Sequence, residues 1–328
     1  MIINKLPAGG GFQLPPVGTV EDFTFETLTE PTFNESGVLT EYGTCSLTGF
    51  NFQGNVNNSV TIPNYLGNYK ITKISNIALN TGTFGTLTKI VIPFDFEWQY
   101  KSTSNTAQKI NSQILEITAN FPRSTYSMFY NSNVQKFTNN VQYTNAVNSD
   151  FYGSKIIDYT NIVKYITSVE KSSFANSNVK GIEFESLTTL PTTSSNDGCF
   201  RNCNNIINAN FPELTVISGG LGSQANTEAG HFNNCQNLNS IRLPKCTYIG
   251  AKTFMECRSL NSIYLEEVPT IEFGPSDFYS PFRYCGQLKN IYIPEDKVDA
   301  LKEVFNSAAY SNYGTNLAQY VKPTPPLV

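Results

Sequence analysis

The chain has 328 residues, a net charge of −4, and 40% hydrophobic, 15% charged and 13% aromatic residues. That length suggests about two ordinary domains unless the fold is a repeat, and it is ample for a sizeable core. The acidic balance excludes a protein built to neutralise phosphates, and a mean hydropathy of −0.24 with no apolar run of about 18 residues excludes a membrane-spanning helix.

The first twenty residues are broken at Pro7, Gly9, Gly10, Gly11, Pro15 and Pro16. A secretory leader needs an uninterrupted apolar stretch, so either the mature chain has lost its leader or it is not exported by that route, and the start at Met1 favours the second reading. The segment reads as an extended arm carrying isolated apolar side chains, Ile2, Ile3, Leu6, Phe12 and Leu14. It cannot build a core of its own, but it has enough apolar surface to anchor in the groove of another subunit. Residues 21–40 add five acids and no periodic pattern. Residues 1–44 are therefore expected to be an arm and leader segment.

A repeating pattern begins after residue 45. Val60-Thr-Ile62-Pro63 is a first, incomplete copy, and Leu87-Thr-Lys-Ile90-Val-Ile92-Pro93 and Ile114-x-x-Ile117 carry its strand part. Phe129 to Ser132 leads into Val134 and Phe137, Phe151 to Ser154 into Ile156 and Tyr159, and Phe174 to Ser177 into Val179, Ile182 and Phe184. Phe200 to Cys203 leads into Ile206, Ala209 and Phe211. Three strong copies follow: Phe232 to Cys235 with Leu238, Ile241 and Leu243; Phe254 to Cys257 with Leu260, Ile263 and Leu265; Phe282 to Cys285 with Leu288, Ile291 and Ile293. Pro294-Glu-Asp-Lys-Val298-Asp-Ala-Leu301-Lys-Glu-Val304-Phe305 then has apolar residues at helical spacing and acids in its first turn, which predicts a capping helix. Thr324 to Val328 is read as an extended tail.

The central apolar residues from Ile90 to Ile291 lie 20 to 32 residues apart. A period of about 20–29 with L-x-x-L-x-L spacing is the signature of a leucine-rich-repeat solenoid, one short strand per repeat, in which each repeat buries its apolar face only against its neighbours. Nine such rungs, spaced about 4.8 Å, give one parallel sheet about 40 Å long. The expected fold is thus a β-rich solenoid over 45–294 of nine or ten irregular repeats, followed by a capping helix and tail over 295–328. Extra residues such as Gly219-Gly-Leu-Gly222 read as loop insertions; that run lacks the Lys-Ser/Thr of a phosphate loop.

The detailed consensus resembles the BspA-type leucine-rich repeats of bacterial surface proteins, phages and some protozoa. Ile241-Arg-Leu-Pro-Lys-Cys-Thr-Tyr-Ile249-Gly-Ala-Lys-Thr-Phe254-Met-Glu-Cys257 matches it almost throughout, and the resemblance covers about residues 45–322. Tyr69-Lys-Ile-Thr-Lys-Ile74 resembles the module that opens such arrays, and Ile291 to Lys302 the segment that closes them. Copies between 110 and 215 depart from it, with Ser for Cys and with Asn139 and Asn161 at the third apolar site, which predicts distorted rungs there.

Seven cysteines invite a metal or disulfide reading, but Cys203, Cys235, Cys257 and Cys285 share one repeat position that Ser132, Ser154 and Ser177 fill elsewhere. A position that takes either residue wants a small side chain at a tight turn, so these form a structural ladder. With no C-x-x-C pair and His231 as the single histidine, neither a metal site nor nucleophilic catalysis is expected. No cofactor and no catalytic residue is assigned. The strand-face acids Glu116, Asp158 and Glu183 lie on different rungs, which disfavours a solenoid glycosidase.

The outward strand positions are more informative. They run Lys89/Val91, Glu116/Thr118, Lys136/Thr138, Asp158/Thr160, Gly181/Glu183, Asn208/Asn210, Ser240/Arg242, Ser262/Tyr264 and Asn290/Tyr292. The last three rungs bring Arg242, Tyr264 and Tyr292 into register, and Tyr and Arg are enriched where binding energy concentrates. The expected function is a non-enzymatic recognition module of a phage particle or cell surface. It binds a host protein or glycan through the solenoid and is held to particle proteins or other copies by its arm, with no nucleic-acid partner and no membrane insertion. A purely structural assembly protein is the alternative.

Overall fold

The chain turns at each repeat on the residue two places after the aromatic. The computed structural model describes residues 20–52, 58–81, 83–99, 110–120, 127–142, 144–146, 149–180, 182–193, 197–219, 230–273, 279–307 and 317–325. In it Asn131, Gly153, Asn176, Asn202, Asn234, Glu256 and Tyr284 all take φ between 49° and 63°. This left-handed backbone costs most residues about 1–2 kcal/mol, and Gly and Asn tolerate it best. Five of the seven positions use one of those two. The asparagines then bond from rung to rung: Asn202 Nδ2 donates to Asn176 Oδ1 at 2.9 Å, and Asn234 Nδ2 to Asn202 Oδ1 at 2.8 Å.

The next residue is the buried Ser or Cys. Each thiol donates to the carbonyl of the aromatic one rung earlier: Cys203 to Phe174 at 2.9 Å, and Cys235 to Phe200, Cys257 to Phe232 and Cys285 to Phe254, each at 3.0 Å. The small side chain is needed because it closes one turn onto the next. All seven cysteines are free and buried, and burial pushes Cys203 and Cys285 up to about 12. A thiol titration in denaturant without reductant should therefore find seven thiols, while the native protein should react slowly. Two or more disulfides would contradict the packing role.

The aromatics themselves form a column through the core. Phe129, Phe151, Phe174, Phe200, Phe232, Phe254 and Phe282 stack in sequence with centroids 5.0 to 5.8 Å apart and planes within 19° of parallel. The strand residues Ile182, Ala209, Ile241, Ile263 and Ile291 are all buried beside it.

Two parallel sheets present the strands. The first runs Lys136–Asn139, Glu116–Asn120, Lys89–Asp95 and Ser59–Thr61. The main sheet has six strands, Ile182–Glu183, Asn208–Asn210, Ser240–Leu243, Ser262–Leu265, Asn290–Ile293 and Val321–Pro323. A second parallel ladder, Thr189–Leu190, Val216–Ile217, Tyr248–Ile249 and Thr270–Ile271, accompanies the main sheet. Ahead of the array, Phe23–Thr29 pairs antiparallel with Gly43–Phe50, which pairs in parallel with Tyr69–Ser75, and helix α1 (Asn76–Thr81) follows.

The single nine-rung sheet expected from spacing is not formed. The rung that should place Asp158 and Thr160 on the face starts as a strand, with Ile157 N–H donating to Gln135 O at 2.9 Å, and then leaves it. Asp158 Oδ1 accepts from Thr160 N–H at 2.9 Å, and Thr160–Val163 becomes a helical turn, α2. The reason is local. Asp favours starting a turn, and Tyr159, Ile162 and Val163 have the i, i+3, i+4 spacing that buries one face of a helix. Asn161, which could not be buried as the third strand residue, is exposed.

The far end closes with helix α3, Val298–Asn306, whose Leu301 and Phe305 are buried. The Phe305 ring meets Phe282 at 6.4 Å and so ends the aromatic column. Lys297 Nζ, just ahead of the helix, bonds Glu266 O at 2.6 Å and Glu267 Oε2 at 2.8 Å. The chain then returns, and Val321–Pro323 pairs in parallel with Asn290–Ile293, a last strand that the repeat pattern did not announce.

Candidate binding face

Strand pairing in register lines up the outward side chains of the main sheet into one row. Glu183 faces Asn210, Asn210 faces Arg242, Arg242 faces Tyr264, Tyr264 faces Tyr292, and Tyr292 faces Lys322. The parallel row is Asn208, Ser240, Ser262 and Asn290. Both rows are tied along their length. Asn210 Nδ2 donates to Glu183 Oε1 at 2.9 Å, Ser240 Oγ to Asn208 Oδ1 at 2.6 Å, and Lys322 Nζ to Asn290 Oδ1 at 2.9 Å. Tyr264 and Tyr292 stack at 5.0 Å with planes 25° apart.

The interrupted rung gives this face a wall. Thr160, Val163 and Lys164 of α2 and its C-cap stand beside Glu183 and Glu185, and the space between them and the Asn208, Ser240, Arg242 and Tyr264 side is a groove of about 600 Å³. That volume lies within the roughly 300–1,000 Å³ of ordinary ligand sites. The groove's two cations, Lys164 and Arg242, are matched in number by Glu183 and Glu185, and each cation has an exposed ion pair: Lys164 to Glu185 at 3.8 Å, and Arg242 to Glu266, outside the groove lining, at 3.0 Å. Pairs this exposed contribute little to stability, so their groups can turn to a ligand at small cost. Arg242, Tyr264 and Tyr292 stand together as their repeat positions predict, whereas α2 is not expected from the repeat; the spacing of Tyr159, Ile162 and Val163 after Asp158 is its signal.

The acids weighed for hydrolysis are held apart. Glu116 sits between Lys89 at 2.8 Å and Lys136 at 3.1 Å on the first sheet. Burial works to raise its carboxyl, but the two lysine bonds outweigh this and hold it below its usual value. The Thr160 backbone bond holds Asp158 below its usual value as well. A general acid for glycoside cleavage needs the opposite shift.

His231 is wholly buried. Its Nε2 lies 2.8 Å from Pro191 O, and Cys199 N–H points at Nδ1 from 3.4 Å. A carbonyl accepts only, so Nε2 carries the proton and Nδ1 accepts. Burial drives the imidazole down to about 4, and it is neutral at physiological pH. Its place is structural. Among the described residues no three His, Cys, Asp or Glu side chains converge as metal ligands, and no helix is long and apolar enough to cross a membrane. The arm residues Ile2, Ile3, Leu6, Phe12 and Leu14, Gly181 and most of the Gly219–Gly222 run lie outside the described residues.

A model of the BspA type leucine rich repeat region matches residues 123–226 and 223–313, with six copies. Among solved structures, the chain is similar to the crystal structure of a T. pallidum leucine-rich repeat protein: 12% identity over 89% of this chain and 97% of that one, with a TM-score of 0.33. It is similar also to a leucine-rich repeat protein from Bacteroides ovatus ATCC 8483, at 14% identity over 93% and 98% of the two chains, with a TM-score of 0.23. No curated protein matches the chain.

Proposed function

The chain belongs to the BspA-type leucine-rich-repeat family, and from that premise we propose that it is a non-enzymatic recognition module of a particle or cell surface, binding its partner through the outward face of the main sheet. The observation that carries this reading is the continuous row from Glu183 to Lys322, with Arg242, Tyr264 and Tyr292 side by side at its centre. Tyr and Arg lead the residues that dominate binding energy, and here both stand on rigid strands.

The test is retention of the labelled full-length chain on an array of immobilised surface glycans and surface proteins. Arg242→Ala combined with Tyr264→Ala should lower the retained signal at least about 10-fold, the effect of losing two central contacts, with unchanged circular dichroism. Retention that ignores both substitutions, or an array that retains nothing, overturns the reading.

The arm supplies the attachment in this proposal. Deleting residues 2–20 should leave the melting temperature unchanged and abolish self-association or incorporation into a particle. A truncated chain that still assembles would leave the solenoid surface as the contact.

A further inference from the structure

The geometry points to an uncharged oligosaccharide as the ligand of the groove between α2 and the main sheet, an assignment that rests on the sheet-face reading and narrows it. Three classes of partner make different demands on a surface. A protein partner needs an apolar centre, because the buried core of an interface is depleted in charge and rich in aromatic and Met side chains. The outward strand positions supply only two tyrosines: they are Asn208, Ser240, Ser262 and Asn290 in one row, and Asn210, Arg242, Tyr264 and Tyr292 in the other, and the apolar residues that line the groove, Val163, Ile182 and Ala209, are themselves buried. A nucleic acid, or a sulfated or sialylated glycan, needs uncompensated cations. Here Lys164 and Arg242 are matched by Glu183 and Glu185 among the groove's own lining residues, and both cations already have acidic partners.

A neutral sugar needs something else. Each hydroxyl is both donor and acceptor, so it is best met by side chains that are also both: Asn amides and Ser or Thr hydroxyls. Asn208, Asn210, Ser240 and Thr160 line the groove, joined by the carboxylates of Glu183 and Glu185 as acceptors and by Lys164 and Arg242 as donors. The C–H face of a pyranose, polarised by its ring oxygen, docks on the negative face of an aromatic ring. Tyr264 stacks on Tyr292 with one face, and its other face is turned to the Arg242 rung at the groove. The row continues past the groove through Tyr292 to Lys322, so the face has contacts for more than one sugar unit.

Isothermal titration of the full-length chain with neutral hexasaccharides of glucose in α and β linkage, N-acetylglucosamine, mannose and galactose tests this, with a heparin-derived hexasaccharide as the charged arm. At least one neutral hexasaccharide should bind with a Kd below about 1 mM. Its affinity should hold between about 50 and 500 mM salt, since no counterions are released. Tyr264→Ala should weaken it at least about 10-fold, Tyr264→Phe should keep it within about 2-fold, and Ser240→Trp, which fills the groove, should abolish it. The assignment is overturned if no neutral hexasaccharide binds, if binding survives both Tyr264→Ala and Ser240→Trp in folded protein, or if only the heparin fragment binds with a steep salt dependence. Sheet-dependent retention on proteins alone in the array experiment would remove the glycan and leave the sheet-face reading standing. Retention indifferent to Arg242 and Tyr264 would remove the sheet-face reading itself.

Discussion

Ile263→Asp should unfold the C-terminal end of the array. Ile263 is 1% exposed and sits in register between Ile241 and Ile291, so the substitution removes a packed side chain and places a carboxylate between two rungs. Losing the aliphatic side chain alone costs about 2–5 kcal/mol, and the unpaired buried charge adds several more or forces the group to protonate. That total is comparable to the whole stability of a domain. Because a solenoid rung contacts only its neighbours, the damage should spread toward α3 and the closing strand Val321–Pro323, while residues 60–81 and 83–99 stay protected in hydrogen exchange. Loss of protection confined to those residues would contradict the rung order.

Acid should weaken the protein well before its carboxylates protonate. His231 is the single histidine in the chain, and its folded value is depressed from 6.5 to about 4 by burial. The Pro191 and Ser218 carbonyls and the charge of Asp197 pull the other way without offsetting burial, and Asp197 is itself paired with Lys171 at 3.1 Å. The unfolded chain therefore binds a proton below pH 6.5 that the folded chain refuses. Stability is fully present above pH 6.5 and is lost as pH falls through the window from 6.5 to about 4. At 1.36 kcal/mol per unit the loss is about 3 kcal/mol. Chemical denaturation at pH 7, 6 and 5 checks it: the free energy of unfolding should decline across the series. His231→Gln should flatten that slope whatever it does to the absolute stability. A wild-type protein equally stable at pH 7 and 5 would mean that water reaches the ring.

Side-chain period carried most of the fold in the sequence. Residues such as Ile241, Ile263 and Ile291 recur because each must fill the same place in a stacked core, and that repetition also set the register that lines up Arg242, Tyr264 and Tyr292. The small-residue position was legible for the same reason; the acceptor of each thiol, a carbonyl one rung away, was not. What escaped were features set by neighbours in space. The role of Asn two places after the aromatic, a left-handed turn with bonds between Asn176, Asn202 and Asn234, needs the rungs already stacked. The break at Tyr159–Val163 is a contest between strand and helix periods over a few residues, and Asp158 tips it. The groove exists because of that break, so the candidate site was half legible: its sheet side was readable and its α2 wall was not. The closing strand Val321–Pro323 has no repeat pattern, since it only borrows the open edge of Asn290–Ile293.

In the proposed function, recognition takes place on the main sheet and not elsewhere on the solenoid. One tryptophan on each of three surfaces tests it: Ser240→Trp on the main sheet, Thr270→Trp on the second ladder, and Gln236→Trp at the turns that carry the asparagine ladder. Each position is at least partly exposed, so each variant should fold, and each is measured for retention on the same array of glycans and proteins. Loss of retention for Ser240→Trp alone is the predicted result; full retention by Ser240→Trp, with loss at Thr270→Trp or Gln236→Trp, would contradict the account.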